Sequence, residues 1–258
     1  MASEPGDVVL AAESLVKRYG GVEALRGANF QVRAGEVVAL IGDNGAGKST
    51  LVKCLSGAEQ PDSGTILLGG SKTVLSSPTA ARRLGIETVY QDLAVAPDLD
   101  PAANLFLGRE LVRRGLAGRL GMLDKRAMRT QAVEHFRRLG VTLQSTDVPI
   151  GALSGGQRQS VAVARAVLWA SKVVFMDEPT AALGVVQRER VLEVIRNVRD
   201  QGIAVVLISH NMPEVLAVAD RIEVLRLGKR VARFVAADAT LEQLVGAMTG
   251  ALSHEDAA

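Results

Sequence analysis

"EVVALIGDNGAGKST", running from Glu36 to Thr50, sets a continuously apolar run directly against a loop of small residues that closes on a lysine and two hydroxyls. An apolar run bounded by a turn reads as a strand buried on both faces, the kind found in parallel sheets. Gly42, Gly47, Lys48 and Ser49 have the P-loop spacing, and "KSTLVKCLSG" continues as a short helix stopped by Gly57. In such a strand–loop–helix unit Gly42, Asp43, Asn44, Gly45, Ala46 and Gly47 let the backbone curl so that its N–H groups face phosphate oxygens. Lys48 adds positive charge near the β and γ phosphates, Ser49 can hold Mg²⁺, and Thr50 completes the set of residues expected to bind the nucleotide. A nucleoside triphosphate is the ligand this geometry takes.

Outward from that unit the pattern stays α/β. Before it, "VVLAAESLVKRYG" and "EALRGANFQVRAG" alternate as two antiparallel strands. After it, "EQPDSGTILLGG" is a turn feeding a strand, and "RRLGIETVYQD" is a strand ending near Gln91. From Asp92 to about Trp169 the chain reads as helices broken by "APDLDP", "RRGLAGRLG" and "QSTDVPIGALSGG", an inserted helical subdomain. Strand and helix then alternate through "KVVFMDE", a helix with Val191, Leu192, Ile195 and Val198 on one face, and "GIAVVLISH", which predicts a parallel sheet. "RIEVLRLGKRVARFVA" reads as a terminal hairpin, and "TLEQLVGAMTG" as a helix with Thr240 and Gln243 in a capping box. The expected fold is one domain over 1–258, a P-loop NTPase core with a mixed, mostly parallel sheet and an N-terminal antiparallel β-subdomain. The core covers 1–91 and 170–227, the helical subdomain about 92–169, the hairpin and last helix 228–251, and a frayed end 252–258.

Composition narrows the class. Thirty Lys and Arg against 28 Asp and Glu leave a formal charge of +2, so no global field draws the chain to nucleic acid. Arginines gather from Arg109 to Arg138, a pattern read as a solvated helical face. Cys54 is the single cysteine, so no internal disulfide can form, the cytoplasm is favoured, and a small core filler is the expected role. His135, His210 and His254 lack zinc spacing. No signal peptide is expected at "MASEPGDVVL", and no run approaches the ~20 apolar residues of a membrane helix. Any membrane contact must come through partners.

Two further motifs carry chemistry. "KVVFMDEP" ends an apolar strand in Asp177, placed to bind Mg²⁺ through water, and Glu178, able to orient or deprotonate an attacking water. "LSGGQRQ", Leu153 to Gln159, puts small residues at the head of a helix-like stretch, where unpaired N–H groups and a partial positive charge suit an anion. A P-loop, "LSGGQ" and a strand-end Asp-Glu pair in this chain resemble the ATP-binding cassette (ABC) family over nearly the whole length.

The resemblance implies an ATPase that uses ATP and Mg²⁺ and works as two copies. Ser154, Gly155, Gly156 and Gln157 would close over the γ-phosphate held by the second copy. Tyr19 in "VKRYGG" corresponds to the aromatic that stacks on adenine, an ordinary core tyrosine being the other reading. Gln91 in "VYQD" matches the residue whose amide reaches Mg²⁺ and the attacking water. His210 in "LISHNM" matches the histidine that contacts the γ-phosphate and steadies the catalytic carboxylate. "PTAALGV" departs from the family, with Gly184 where most cassettes carry an Asp that reaches across the dimer.

Phrases such as "DLAVAPDLDPAANLFLGRE", "MDEPTAALGVVQ" and "ISHNMPEVLAVADRI" resemble the sugar-importer branch, of fructose or ribose type. That branch implies membrane permease subunits, a secreted or periplasmic sugar-binding protein, a peripheral position on the cytoplasmic face of the membrane, and no nucleic acid. A soluble cassette ATPase of DNA repair or translation is the alternative. A small-molecule kinase would share the P-loop but has no use for "LSGGQ".

Overall fold

A computed structural model describes residues 6–90, 94–143, 145–181 and 183–251. The antiparallel strands β1 (Val8–Tyr19) and β2 (Val22–Arg33) lead into β3 (Val37–Ile41) and helix α1 (Lys48–Leu55). Strands β4 (Ser63–Leu68) and β5 (Ser71–Lys72) then return to the first sheet, whose order is β2-β1-β4-β5. Helix α2 (Pro78–Arg83) precedes β6 (Ile86–Val89), and the helical segment follows as α3 (Pro101–Leu105), α4 (Leu116–Arg119), α5 (Lys125–Arg138) and α6 (Gly155–Trp169). The chain closes through β7 (Val173–Asp177), α7 (Val185–Asp200), β8 (Ala204–Ile208), α8 (Met212–Val218), β9 (Arg221–Arg226), β10 (Lys229–Val235) and α9 (Leu241–Thr249). The second sheet runs β10-β9-β3-β8-β7-β6, parallel throughout except at the β9–β10 hairpin.

Local chemistry explains the boundaries. Every residue of β3 and β8 is buried, as a central parallel strand with helices or a second sheet on each face requires. Side chains of Ser77, Asp100, Asp124 and Asn211 cap α2, α3, α5 and α8, each accepting an N–H the first turn cannot pair internally. Thr240 and Gln243 form the expected capping box on α9.

The helical segment shares its core with the sheet. Leu105, Phe106, Phe136, Val163 and Ile195 lie in one apolar cluster with Val174, Met176, Val205 and Leu207 of the central strands. At about 1.5–3 kcal/mol for each fully buried large aliphatic or aromatic side chain, this contact holds α6 firmly to β6 and β7. Trp169 seals the junction, donating Nε1–H to the Leu105 carbonyl at 3.0 Å and meeting Phe106 edge-on at 5.9 Å. A second cluster, including Leu10, Phe30, Leu40, Leu51 and Phe175, joins the antiparallel sheet to the other face of the parallel one. Cys54 belongs to it, and burial pushes its thiol up to about 11, as an inert core filler should behave.

One arginine differs from the expected solvated face. Arg109 bonds Glu87 at 3.1 Å and lies 4.7 Å from the Trp169 ring centre, because the edge strand β6 buries a carboxylate that needs a cation. Arg113, Arg114, Arg119, Arg126, Arg129, Arg137 and Arg138 are exposed, as expected. Among the described residues no helix is long and apolar enough to cross a membrane.

Candidate active site

The loop between β3 and α1 is fastened by the chain around it. Gly42 has φ +150°, and a Cβ there would fall 2.2 Å from the Leu225 carbonyl oxygen; at Gly47, φ +103°, it would fall 2.7 Å from the Ala24 carbonyl oxygen. Glycine is therefore required twice over, by backbone angle and by close approach. Gly47 also serves as the α1 N-cap without a side-chain acceptor, which leaves first-turn N–H groups available to an anion. Lys48 Nζ donates to the carbonyls of Gly42 at 2.6 Å and Asp43 at 3.0 Å. Burial pulls its pKa below the usual lysine value, opposed by the nearby carboxylates of Glu178, Asp43 and Asp177.

Asp177 closes β7 and Glu178 follows at φ +50°, a left-handed conformation uncommon for a residue with a side chain. Donation of the Glu178 N–H to the Ile208 carbonyl at 2.9 Å locks that turn to the end of β8. There the loop after β8 presents His210, whose Nδ1 lies 2.8 Å from Glu178 Oε1. The two were singled out separately in sequence, and the parallel β7–β8 register brings them together. Burial, then the neighbouring Glu178 charge, raises the Asp177 carboxyl pKa, while Lys48 lowers it. Among the described residues no group of three or more His, Cys, Asp and Glu is placed to hold a metal ion by itself; hydroxyl and carboxylate oxygens such as those of Ser49 and Asp177 are of the hard kind that suits a small divalent cation shared with phosphate.

Tyr19 stands at the end of β1 with 42% of its surface exposed, which removes the core-tyrosine reading. The Lys17 ammonium lies 5.5 Å from its ring centre. Gln91 lies outside the described residues.

Ser154 is the N-cap of α6 and forms a full capping box with Gln157. Its hydroxyl accepts from Gln157 N–H at 3.3 Å, while Ser154 N–H donates to Gln157 Oε1 at 3.1 Å. Ser154 is exposed, and among the described residues no hydrogen bond or ion pair joins 154–157 to 42–50 of the same chain. Gly156 packs so tightly that a Cβ would meet Gln187 Cβ and Cγ at 2.7 Å. Gly184 caps α7 with no side-chain acceptor, as its identity dictates.

Four polar residues escaped the sequence reading. Thr180 and Glu214, both buried, are hydrogen-bonded to each other, and Arg188 and Asn211 reach the same carboxylate. Asn211 followed three residues later by Glu214 is a helix-start signal that could have exposed half of this group.

A phosphate loop feeding a helix from β3, with a carboxylate pair at the tip of the parallel strand next but one in the same sheet, defines a P-loop nucleoside triphosphatase. The family model described as ABC transporter matches residues 25–181. The chain belongs to the ABC transporter family and carries its nucleotide-binding, ATP-hydrolysing cassette.

The fructose import ATP-binding protein FrcA of Rhizobium meliloti is 53% identical over 97% of this chain and 96% of its own length. The xylose/arabinose import ATP-binding protein XylG of Sulfolobus acidocaldarius is 43% identical, over 93% of this chain and 94% of its own. The ribose import ATP-binding protein RbsA of Yersinia pestis is 41% identical over 94% of this chain, which spans 46% of that longer protein. Among solved structures, a nucleotide-free ATP-binding cassette from an ABC transporter superimposes with TM-score 0.77 at 24% identity, covering 94% of this chain and 96% of that one. That likeness bears on the fold alone, and it agrees with the α/β core, antiparallel sheet and helical segment expected from the sequence.

Proposed function

We propose that this chain is the ATPase subunit of an importer for a monosaccharide, working with Mg²⁺ at the cytoplasmic face of the membrane and held there by permease subunits. The 53% identity to a fructose import ATP-binding protein over nearly both whole chains supports the sugar. The observation that carries the chemistry is the Glu178–His210 pair at 2.8 Å beside the lysine-bearing loop. The described residues show no link between the glycine-led start of α6 and the phosphate loop of the same chain. This supports a head-to-tail pairing of two copies, each lending residues 154–157 to the other's nucleotide.

In this reading Tyr19 stacks on the adenine, the loop N–H groups and Lys48 hold the β and γ phosphates, and Ser49, Asp177 and Gln91 hold the cation. When bound there, Mg²⁺ would supply positive charge that offsets the charge of the phosphate oxygens. Glu178 accepts the proton of the water attacking the γ-phosphorus, and His210 steadies that carboxylate with its own Nδ1 proton. Once the bond to ADP is cut, no single ligand spans the two copies, and the closed state loses its differential stabilisation. A permease seated on the helical segment turns that opening and closing into transport, and a sugar-binding protein delivers cargo outside. The relatives found are sugar-import proteins, and the DNA-repair or translation alternative draws no support from them.

Copurification with the permease, followed by ATP turnover measured with a panel of monosaccharides and their binding protein, tests the assignment. Stimulation by one monosaccharide is the expected outcome; equal indifference to all of them overturns the sugar.

Asp177 supplies a second test. A carboxyl whose folded pKa is raised contributes stability that is present below its ordinary pKa and lost as pH rises through the raised value. At neutral pH the ionised Asp177 therefore costs stability. Asp177→Asn is expected to raise the thermal midpoint of the nucleotide-free protein at pH 7, by less as pH falls, while abolishing Mg²⁺-dependent hydrolysis. A lowered midpoint at pH 7 contradicts the electrostatic account.

A further inference from the structure

The geometry points to Glu214 as a positioning residue for ATP hydrolysis, a buried brace that holds the loop carrying Glu178 and the loop carrying His210 in fixed relation. The inference rests on the reading of Glu178 as the proton acceptor. It starts from the buried polar residues that this reading leaves unused.

Glu214 sits in the first turn of α8 with 8% of its surface exposed, where an unpaired carboxylate would be strongly unfavourable. Its partners come from three separate segments. Thr180, two residues beyond Glu178 and 6% exposed, donates its hydroxyl to Oε2. Asn211, the residue after His210, donates its side-chain N–H to Oε1 at 2.7 Å. Arg188, in the first turns of α7, reaches Oε1 at 3.4 Å and donates Nε–H to the Leu183 carbonyl at 2.8 Å.

Among the described residues neither Glu178 nor His210 hydrogen-bonds to Glu214, yet the side chains two residues after Glu178 and one residue after His210 are both tied to its carboxylate. Glu178 needs such support, because its positive φ is a conformation that the surroundings must enforce. The link through Arg188 extends the brace to Leu183 and Gly184. At Gly184 the family's usual aspartate is missing and α7 starts without a side-chain cap. Arg188 holds that segment from within the chain.

The test uses the purified full-length protein and compares Thr180→Val, Thr180→Ser, Glu214→Gln and Glu214→Ala. Valine keeps the shape of threonine and removes the hydroxyl; serine keeps the hydroxyl and loses the methyl group. A brace predicts that Thr180→Ser stays near parental turnover, whereas Thr180→Val and Glu214→Ala lose about 10- to 100-fold in kcat with KM for ATP within about twofold. Glu214→Gln, which still accepts from Thr180 but loses its charge toward Arg188, should fall between them. A packing role predicts the reverse order at position 180, and that order overturns the inference. So does parental kcat in Thr180→Val. If Glu214→Ala fails to fold, the two Thr180 variants decide alone, with thermal midpoints recorded for each. Glu178→Gln run in parallel separates the failures: parental turnover there removes the reading of Glu178 itself, whereas a stalled Glu178→Gln beside a normal Thr180→Val removes only the brace.

Discussion

Glu178→Gln is expected to bind ATP with parental affinity and to hydrolyse it about 10²- to 10⁴-fold more slowly, the range a general base contributes. Glutamine keeps the length and shape of glutamate, and its amide oxygen can still accept from His210 Nδ1, which lies 2.8 Å from the native carboxylate. The left-handed turn and its bond to Ile208 involve only backbone and are untouched. What is lost is the ability to take a proton. Nucleotide titration followed by phosphate release under single-turnover conditions separates the two effects. Equal turnover by variant and parent would remove Glu178 from its role, and lost binding would show that it supports the phosphate loop instead.

The second large effect concerns pairing. Lys48→Ala removes the phosphate-loop cation and is expected to be inactive alone. Ser154→Asp is also expected to be inactive, for a different reason: aspartate caps a helix as well as serine does and suits the positive end of α6, so the fold is kept. Its charge then opposes the γ-phosphate of the neighbouring copy. Mixed in equal amounts, the two dead proteins should regain about a quarter of parental ATP turnover. Half of randomly formed dimers contain one of each chain, and each of those holds one intact site and one doubly defective site. No recovery in mixtures shown to exchange subunits contradicts the shared-site arrangement. Residual activity of Ser154→Asp alone contradicts it as well.

Motif spacing made the phosphate loop, the carboxylate pair and the glycine-led helix legible, because each needs particular residue types at fixed offsets along a single element. The alternation of β1 and β2 and the apolar runs of β3, β7 and β8 placed the sheets for the same reason. Contacts made across the fold were less legible. Arg109 looked like one more exposed arginine, since nothing near it in sequence announces Glu87 on a distant edge strand or the Trp169 face. Thr180 and Glu214 are ordinary residues until β7 and β8 lie side by side and bring their loops together. The helical segment read as an insertion, and nothing in its own pattern says that its apolar residues finish the same core as the central strands. Periodicity reports that a helix has a buried face, not what covers it.

The ties around Gly42 and Gly47 have a thermodynamic consequence for a protein that must cycle repeatedly. Ala46 accepts from Gly228 N–H and Arg26 N–H donates to the Gly228 carbonyl, so the cradle is anchored to β2 and to the β9–β10 turn without any help from a guest. Its entropy is surrendered once, when the polypeptide folds, and is not lost again at each arrival of fuel. Pre-rigidified in this way, the pocket leaves more of the binding energy of every incoming triphosphate free for moving the machine around it.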